Sequence, residues 1–178
     1  MTLAVPATLR PWLRPRYDAL MLRAIPDAAP GHLVASPVLH ELVAGAQAVL
    51  FGPGCGREPA TGDALAAVLR TAQPLVLDAD GLRLLATRPE LLPRAVTETA
   101  AAPPVTVLTP HPGEMQALLD GFGLGALATA TRAEQALALA RHTGAVIVLK
   151  GAQTESTPAG RRPPGPGSRG PVRRPGRE

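Results

Sequence analysis

The sequence predicts an α/β domain with a mostly parallel sheet, and three observations carry that prediction. Short apolar runs at Ala46 to Phe51, Leu75 to Leu77, Val105 to Leu108 and Ala145 to Leu149 alternate with stretches of helical period. Of the 178 residues 46% are apolar, yet only Trp12, Tyr17, Phe51 and Phe122 are aromatic, so the core must be built from Ala, Leu and Val, which let helices lie close to a sheet. Finally, the four runs empty into Gly-Pro-Gly, Asp-Ala-Asp, Pro-His-Pro and Lys-Gly-Ala. In a parallel sheet such ends share one edge, where open α/β folds bind their ligands.

Taken in order, Thr2 to Val5 reads as a short strand stopped by Pro6. Leu9 to Pro15 is a turn-rich connection, and Tyr17 to Ile25 is either a short helix or an edge element. Ser36 as N-cap, Pro37 in the first turn and an apolar face of Val38, Leu39, Leu42 and Val43 predict a helix. Ala46 to Phe51 has the near-continuous apolar character of a buried parallel strand and runs into Gly52-Pro53-Gly54-Cys55-Gly56. Thr61 to Arg70 is a helix, Leu75 to Leu77 a strand ending at Asp78-Ala79-Asp80-Gly81, and Leu82 to Leu92 a covering helix broken at Pro89. Residues 100–104 are a linker.

The segment Thr109-Pro110-His111-Pro112-Gly113-Glu114 follows a strand and opens a helix. Its two prolines fix their own φ and push Thr109 and His111 towards extended geometry, which holds an imidazole on a stiff loop. Thr131-Arg132-Ala133-Glu134 has the spacing of a capping box, and Ala133, Ala136, Leu137 and Ala140 form one apolar stripe, so a helix is expected over 132–142 with Gly144 closing it. The last strand then delivers Lys150-Gly151-Ala152-Gln153-Thr154.

Charge divides the chain in two. Residues 1–154 hold 12 Lys+Arg and 12 Asp+Glu, so the whole net charge of +4 lies in residues 155–178, where six arginines face Glu155 and Glu178. Eleven of those 24 residues are Pro or Gly, and Ala159 and Val172 are the only aliphatic ones, too few to offset ordering entropy. The expected organisation is one domain over 1–154 and a disordered Arg/Pro/Gly tail over 155–178, with the composition of a GC-rich coding region read out of frame. A neutral body without an aromatic or base-reading element beside the tail argues against nucleic acid as a partner. One cysteine, no charged-then-apolar leader and no apolar run of about 18 residues make the cytoplasm the default, with no membrane association.

Glycines at 52, 54 and 56 permit close approach of a ligand to backbone, and Lys150, the chain's single lysine against 17 arginines, supplies a compact cation for phosphate. Asp78 and Asp80 read as turn or cap residues without a catalytic role. The stretches GPGCG (52–56), PLVLDADGL (74–82), VLTPHPGEMQALL (107–119) and VIVLKGAQT (146–154), in this order and spacing, resemble the motif series of the ADP-dependent NAD(P)H-hydrate dehydratases, whose domain is a ribokinase-like three-layer α/β fold. The resemblance runs over roughly residues 2 to 154. It implies a hydro-lyase that uses ADP, with or without Mg2+, to expel water from hydrated NADH or NADPH. By the same resemblance Gly54 and His111 contact the hydrated dinucleotide, and Lys150, Gly151, Ala152, Gln153 and Thr154 hold the adenine nucleotide.

Two departures qualify that expectation. The family begins with a further strand and a Gly-Ser-rich loop before the equivalent of Thr2, and it continues after KGAxT to a GTGD loop whose aspartate is the expected general base; here an Arg/Pro/Gly segment stands there instead. Thr61-Gly62-Asp63 precedes the other motifs in order and is not that loop, so no catalytic residue and no metal ligand is assigned. A truncated fold of impaired activity is therefore expected, with uncovered sheet edges that invite pairing, most simply into a homo-oligomer. Alternatives of other classes are a ribokinase-like kinase acting on a small alcohol and a non-enzymatic interaction protein working through its basic tail.

Overall fold

A computed structural model describes residues 1–13, 20–27, 31–92, 105–151 and 155–157. Its elements run β1 (Thr2–Pro6), α1 (Arg10–Leu13), β2 (Met21–Ile25), α2 (Pro37–Ala44), β3 (Val49–Phe51), α3 (Pro59–Leu69), β4 (Leu75–Leu77), α4 (Asp80–Thr87), a 3-10 turn at Pro89–Leu91, β5 (Thr106–Leu108), α5 (Pro112–Gly121), a 3-10 turn at Gly125–Leu127, α6 (Arg132–Thr143), β6 (Val146–Leu149) and β7 (Glu155–Ser156). The helix starts are written in the sequence. Ser36 Oγ accepts the Leu39 N–H at 3.2 Å ahead of Pro37, and Thr131 and Glu134 satisfy each other's backbone N–H groups reciprocally. Gly144 ends α6 in the left-handed region at φ 72°.

Two sheets form. β1 and β2 pair in parallel from Thr2↔Met21 to Pro6↔Ile25, which settles the second element as an edge strand. The larger sheet has the order β3-β4-β5-β6-β7, parallel throughout except for the last pair. Along β4, β5 and β6 the residues Leu75, Leu77, Leu108, Ile147 and Leu149 are fully buried, while the alternate Val76, Val107, Val146 and Val148 are half-buried, so both faces of the central strands are covered at least in part. The core joins these strands to Ile25, Leu65, Leu82, Leu85, Met115, Leu118, Leu119 and Leu139. Close helix packing follows from the small residues: a Cβ on Gly121 at the end of α5 would lie 2.1 Å from the Ala86 carbonyl oxygen of α4.

Two expectations need correction. Ala46 to Phe51 was expected to be a buried strand, but only Val49–Phe51 is extended, and β3 is an edge strand in the described sheet with Leu50 63% exposed. A continuous apolar run does not distinguish a central strand from an edge strand whose middle residue faces outward. The tail boundary at 155 also moves. Glu155 and Ser156 pair with Leu149 and Val148, the Thr157 N–H donates to the Ile147 carbonyl at 3.0 Å, and the Ile147 N–H donates to Thr157 Oγ1 at 2.9 Å. Ladder hydrogen bonds to the open side of β6 order these three residues without apolar burial, a contribution composition cannot reveal. Residues 158–178, and the linker at 100–104, lie outside the described residues. Among the described residues no helix is long and apolar enough to cross a membrane.

Candidate functional site

The carboxyl ends of β3, β4, β5 and β6 lie side by side, as the parallel register requires. Their ladder continues for one residue past the strands: the Asp78 N–H donates to the Phe51 carbonyl at 3.1 Å, the Thr109 N–H to the Leu77 carbonyl at 3.1 Å, and the Lys150 N–H to the Pro110 carbonyl at 2.8 Å. The last of these bonds ties the His111 loop to the Lys150 loop through backbone alone.

His111 is the N-cap of α5. Its Nδ1 accepts the Gly113 N–H at 3.0 Å and the Glu114 N–H at 3.4 Å, while Glu114 returns its carboxylate to the His111 N–H at 2.8 Å. A nitrogen that accepts carries no proton, so the neutral ring holds its hydrogen on Nε2, which faces Glu114 Oε1 at 3.3 Å. The imidazole is thereby a donor at its half-exposed end. Glu114 is only 6% exposed, and a buried carboxylate requires partners. Besides the His111 contacts, its Oε2 lies 4.0 Å from the Lys150 ammonium.

That ammonium rests on Asp78, with Nζ 2.6 Å from Oδ1. Burial pushes the Asp78 carboxyl up, but the Lys150 ammonium, the Ala79 N–H and Thr109 outweigh it and hold the group below the ordinary aspartate range. Asp80 does something different: it opens α4 and its Oδ2 accepts the Gly56 N–H at 3.1 Å, which fixes the glycine loop to the end of β4. Within that loop Gly52 has φ 126° and no room for a side chain, since a Cβ would meet the Asp78 carbonyl oxygen at 1.8 Å. Gly54, at φ 69°, is open above, with nothing within 4 Å of where a Cβ would stand. Burial pushes the neighbouring Cys55 thiol up, which keeps it protonated and unreactive at neutral pH.

Of the residues singled out from sequence, Lys150 and His111 thus meet through Glu114, and Gly54 stands on the same edge in the loop anchored by Asp80. Gly151 follows Lys150 in the shelter of Arg132, whose guanidinium donates to the Leu149 and Lys150 carbonyls at 3.1 Å each and would lie 2.7 Å from a Cβ at position 151. Ala152, Gln153 and Thr154 lie outside the described residues. Asp63 ion-pairs with Arg88 at 2.9 Å on the surface, apart from this cluster. Sequence reasoning missed three participants: Asp78, read as a turn residue, Glu114, read as a first-turn carboxylate, and Arg132. A glutamate directly after a Pro-Gly helix start was the one available signal for Glu114, because the N3 position returns a carboxylate to the N-cap.

The profile of the NAD(P)H-hydrate dehydratase family matches residues 20–157. Bifunctional NAD(P)H-hydrate repair enzymes are similar in sequence: that of Moorella thermoacetica is 37% identical over 158 residues, which cover 86% of this chain and 28% of the relative, and that of Gloeobacter violaceus is 39% identical over 156 residues, 85% and 27%. The chain therefore spans little more than a quarter of the length of these relatives. Among solved structures, a ribokinase-like superfamily protein of Enterococcus faecalis aligns over 89% of this chain and 50% of its own with a TM-score of 0.65 at 23% identity, a likeness of fold. The ADP/ATP-dependent NAD(P)H-hydrate dehydratase of Bacillus subtilis, crystallised with ATP/Mg2+ and soaked with CoA, aligns over 84% and 47% with a TM-score of 0.53 at 26% identity.

Proposed function

The chain belongs to the NAD(P)H-hydrate dehydratase family, and from that membership we propose that it binds hydrated NADH or NADPH together with ADP and serves ADP-dependent dehydration of the nicotinamide ring. The observation that carries this reading is the unbroken polar contact from Lys150 through Glu114 to His111 along one sheet edge. It offers a cation for phosphate and a donor for a substrate hydroxyl within one site. In this reading Gly54 and His111 meet the hydrated dinucleotide, the open space over Gly54 admitting it. Lys150 and Gly151 begin the nucleotide segment that continues through Ala152, Gln153 and Thr154, with the Lys150 ammonium on phosphate and Arg132 holding the strand end in place.

Among the described residues no group of three His, Cys, Asp or Glu side chains is placed to hold a metal ion. Mg2+ commonly takes one or two carboxylates and completes its shell with nucleotide phosphates and water. Asp78 and Glu114, both reaching the Lys150 ammonium, fit that smaller demand. The ion would neutralise phosphate charge when bound.

The 178 residues contain no Gly-Thr-Gly-Asp loop, and an aspartate acting as general base would be worth a factor of roughly 10² to 10⁴ in rate. The same reading puts the protein in the cytoplasm and pairs copies of it through the edge of β3 that has no partner strand among the described residues, where Leu50 is exposed. Light scattering that gives the mass of one chain would remove that pairing. The function is tested by incubating the chain with ADP and hydrated NADH and following the absorbance of reduced nicotinamide, with His111→Ala and Lys150→Ala beside it. ATP-dependent phosphorylation of a small alcohol, with the hydrate untouched, would replace the dehydratase by a kinase.

A further inference from the structure

We propose that Asp78 is a specificity-determining residue of the nucleotide site: its carboxylate occupies the Lys150 ammonium in the ligand-free protein, and an incoming phosphate has to displace it. The inference rests on the assignment of Lys150 to the adenine nucleotide. The ammonium has two carboxylates to choose from and sits on one of them, 2.6 Å from Asp78 against 4.0 Å from Glu114. Both members of the closer pair remain within reach of a ligand, their side chains 42% and 28% exposed.

The backbone around Asp78 is pinned more firmly than a turn requires. Its N–H is bonded to the Phe51 carbonyl, its own carbonyl accepts the Gly81 N–H at 3.0 Å, and that carbonyl is packed so tightly on Gly52 that no side chain fits between them. The next residue, Ala79, is held at φ 49° and ψ −121°, the only non-glycine with positive φ among the described residues. Strain of this kind persists only where the surroundings over-determine the backbone, and it collects at functional sites. Its effect here is to aim one carboxylate at the chain's single lysine, which is 72 residues away in sequence.

A counter-ion already in place changes what the site selects. A small anion such as inorganic phosphate, with a charge between roughly −1 and −2 near neutral pH, exchanges one negative partner for another when it displaces Asp78 and leaves the displaced carboxylate beside it, so little is gained. A diphosphate brings more charge and more acceptor oxygens to the same ammonium and to the backbone N–H of Gly151. The pair therefore discriminates ADP from inorganic phosphate, and loss of the Asp78 charge should strengthen anion binding in general while erasing part of that preference.

The test is calorimetric titration of the 178-residue chain, in EDTA and without Mg2+, with ADP and with inorganic phosphate, for the wild type, Asp78→Asn, Lys150→Met and the double variant. Asp78→Asn keeps the shape of the side chain and its acceptor for the Ala79 N–H. It is expected to bind ADP about three- to tenfold more tightly and phosphate with at least an equal gain, and the ADP gain should shrink in the Lys150→Met background. Weaker or unchanged ADP binding by Asp78→Asn, with Lys150→Met also weakened, would overturn the competition and leave the nucleotide site standing. Wild-type binding of ADP by Lys150→Met, or no ADP binding by the wild type, would remove the site and the inference together. A second measurement needs no variant. Lysine labelled with 13C at Cε gives a single resonance, from Lys150; ADP should move it, and inorganic phosphate at the same concentration should leave it near its free position. Equal movement with both ligands would overturn the proposal.

Discussion

Gly52→Ala probes the piece of backbone on which the whole edge depends. Two costs add at this position. The φ of 126° belongs to a region that residues with a Cβ rarely adopt, which costs about 1 to 3 kcal/mol. In addition, the new Cβ would stand 1.8 Å from the Asp78 carbonyl oxygen and 2.7 Å from the Gly81 nitrogen, and these two atoms are bonded to each other across the β4–α4 turn, so neither can withdraw alone. Overpacking against backbone costs about another 1 to 3 kcal/mol, giving an expected loss of about 2 to 6 kcal/mol by urea denaturation. Gly54→Ala is the matched control, two residues away in the same loop. Its φ of 69° also disfavours alanine, but nothing lies within 4 Å of the added methyl, so only the conformational cost of roughly 1 to 2 kcal/mol remains. Equal destabilisation by the two substitutions, or a loss below about 1 kcal/mol for Gly52→Ala, would refute the claim that the Gly52–Asp78 approach sets the edge.

Glu114→Gln should cost about 1 to 2 kcal/mol in the same assay, because the amide can still accept the His111 N–H but then turns a donor towards the proton on Nε2. The Asp78 carboxyl lies below its ordinary value in the fold, so the stability it contributes is fully present above the unfolded value near about 3.9 and is lost as pH falls through the lower folded value. The difference in melting temperature between the wild type and Asp78→Asn should therefore hold constant from neutral pH down to about pH 5 and close below about pH 4; a gap that closes between pH 6 and 7 would mean that a different group titrates. Lys150→Ala should weaken ADP binding at least about tenfold, whereas Arg141→Ala, on the exposed face of α6, should leave it unchanged by calorimetry.

Much of this was legible because the chain repeats one local grammar. An apolar run that empties into a cluster of loop residues recurs four times, three of them opening a helix, and the caps at Ser36 and Thr131 bond as their spacing demands. The apolar runs also located β4, β5 and β6, and their parallel direction followed from the helices between them. What stayed hidden depends on partners distant in sequence. Leu50 has the character of a core residue and faces outward because β3 has no described neighbour beyond it. Residues 155–157 lack the composition of a strand and are ordered by the open side of β6.

Asp78 and Glu114 were hidden for the same reason, and their case shows how the site is put together. A carboxylate in a turn or in the first turn of a helix has an adequate local explanation, and Glu114 does fulfil it by capping α5. The second role arises only when β4, β5 and β6 lie in register. The Lys150 N–H then bonds to Pro110, which brings the lysine stem over the sheet edge and carries its ammonium to Asp78 on one side and towards Glu114 on the other. Each loop taken alone offers a turn aspartate, a capping histidine or a solvated lysine. The parallel ladder converts them into one charged cluster, with the imidazole and the ammonium on either side of the buried Glu114.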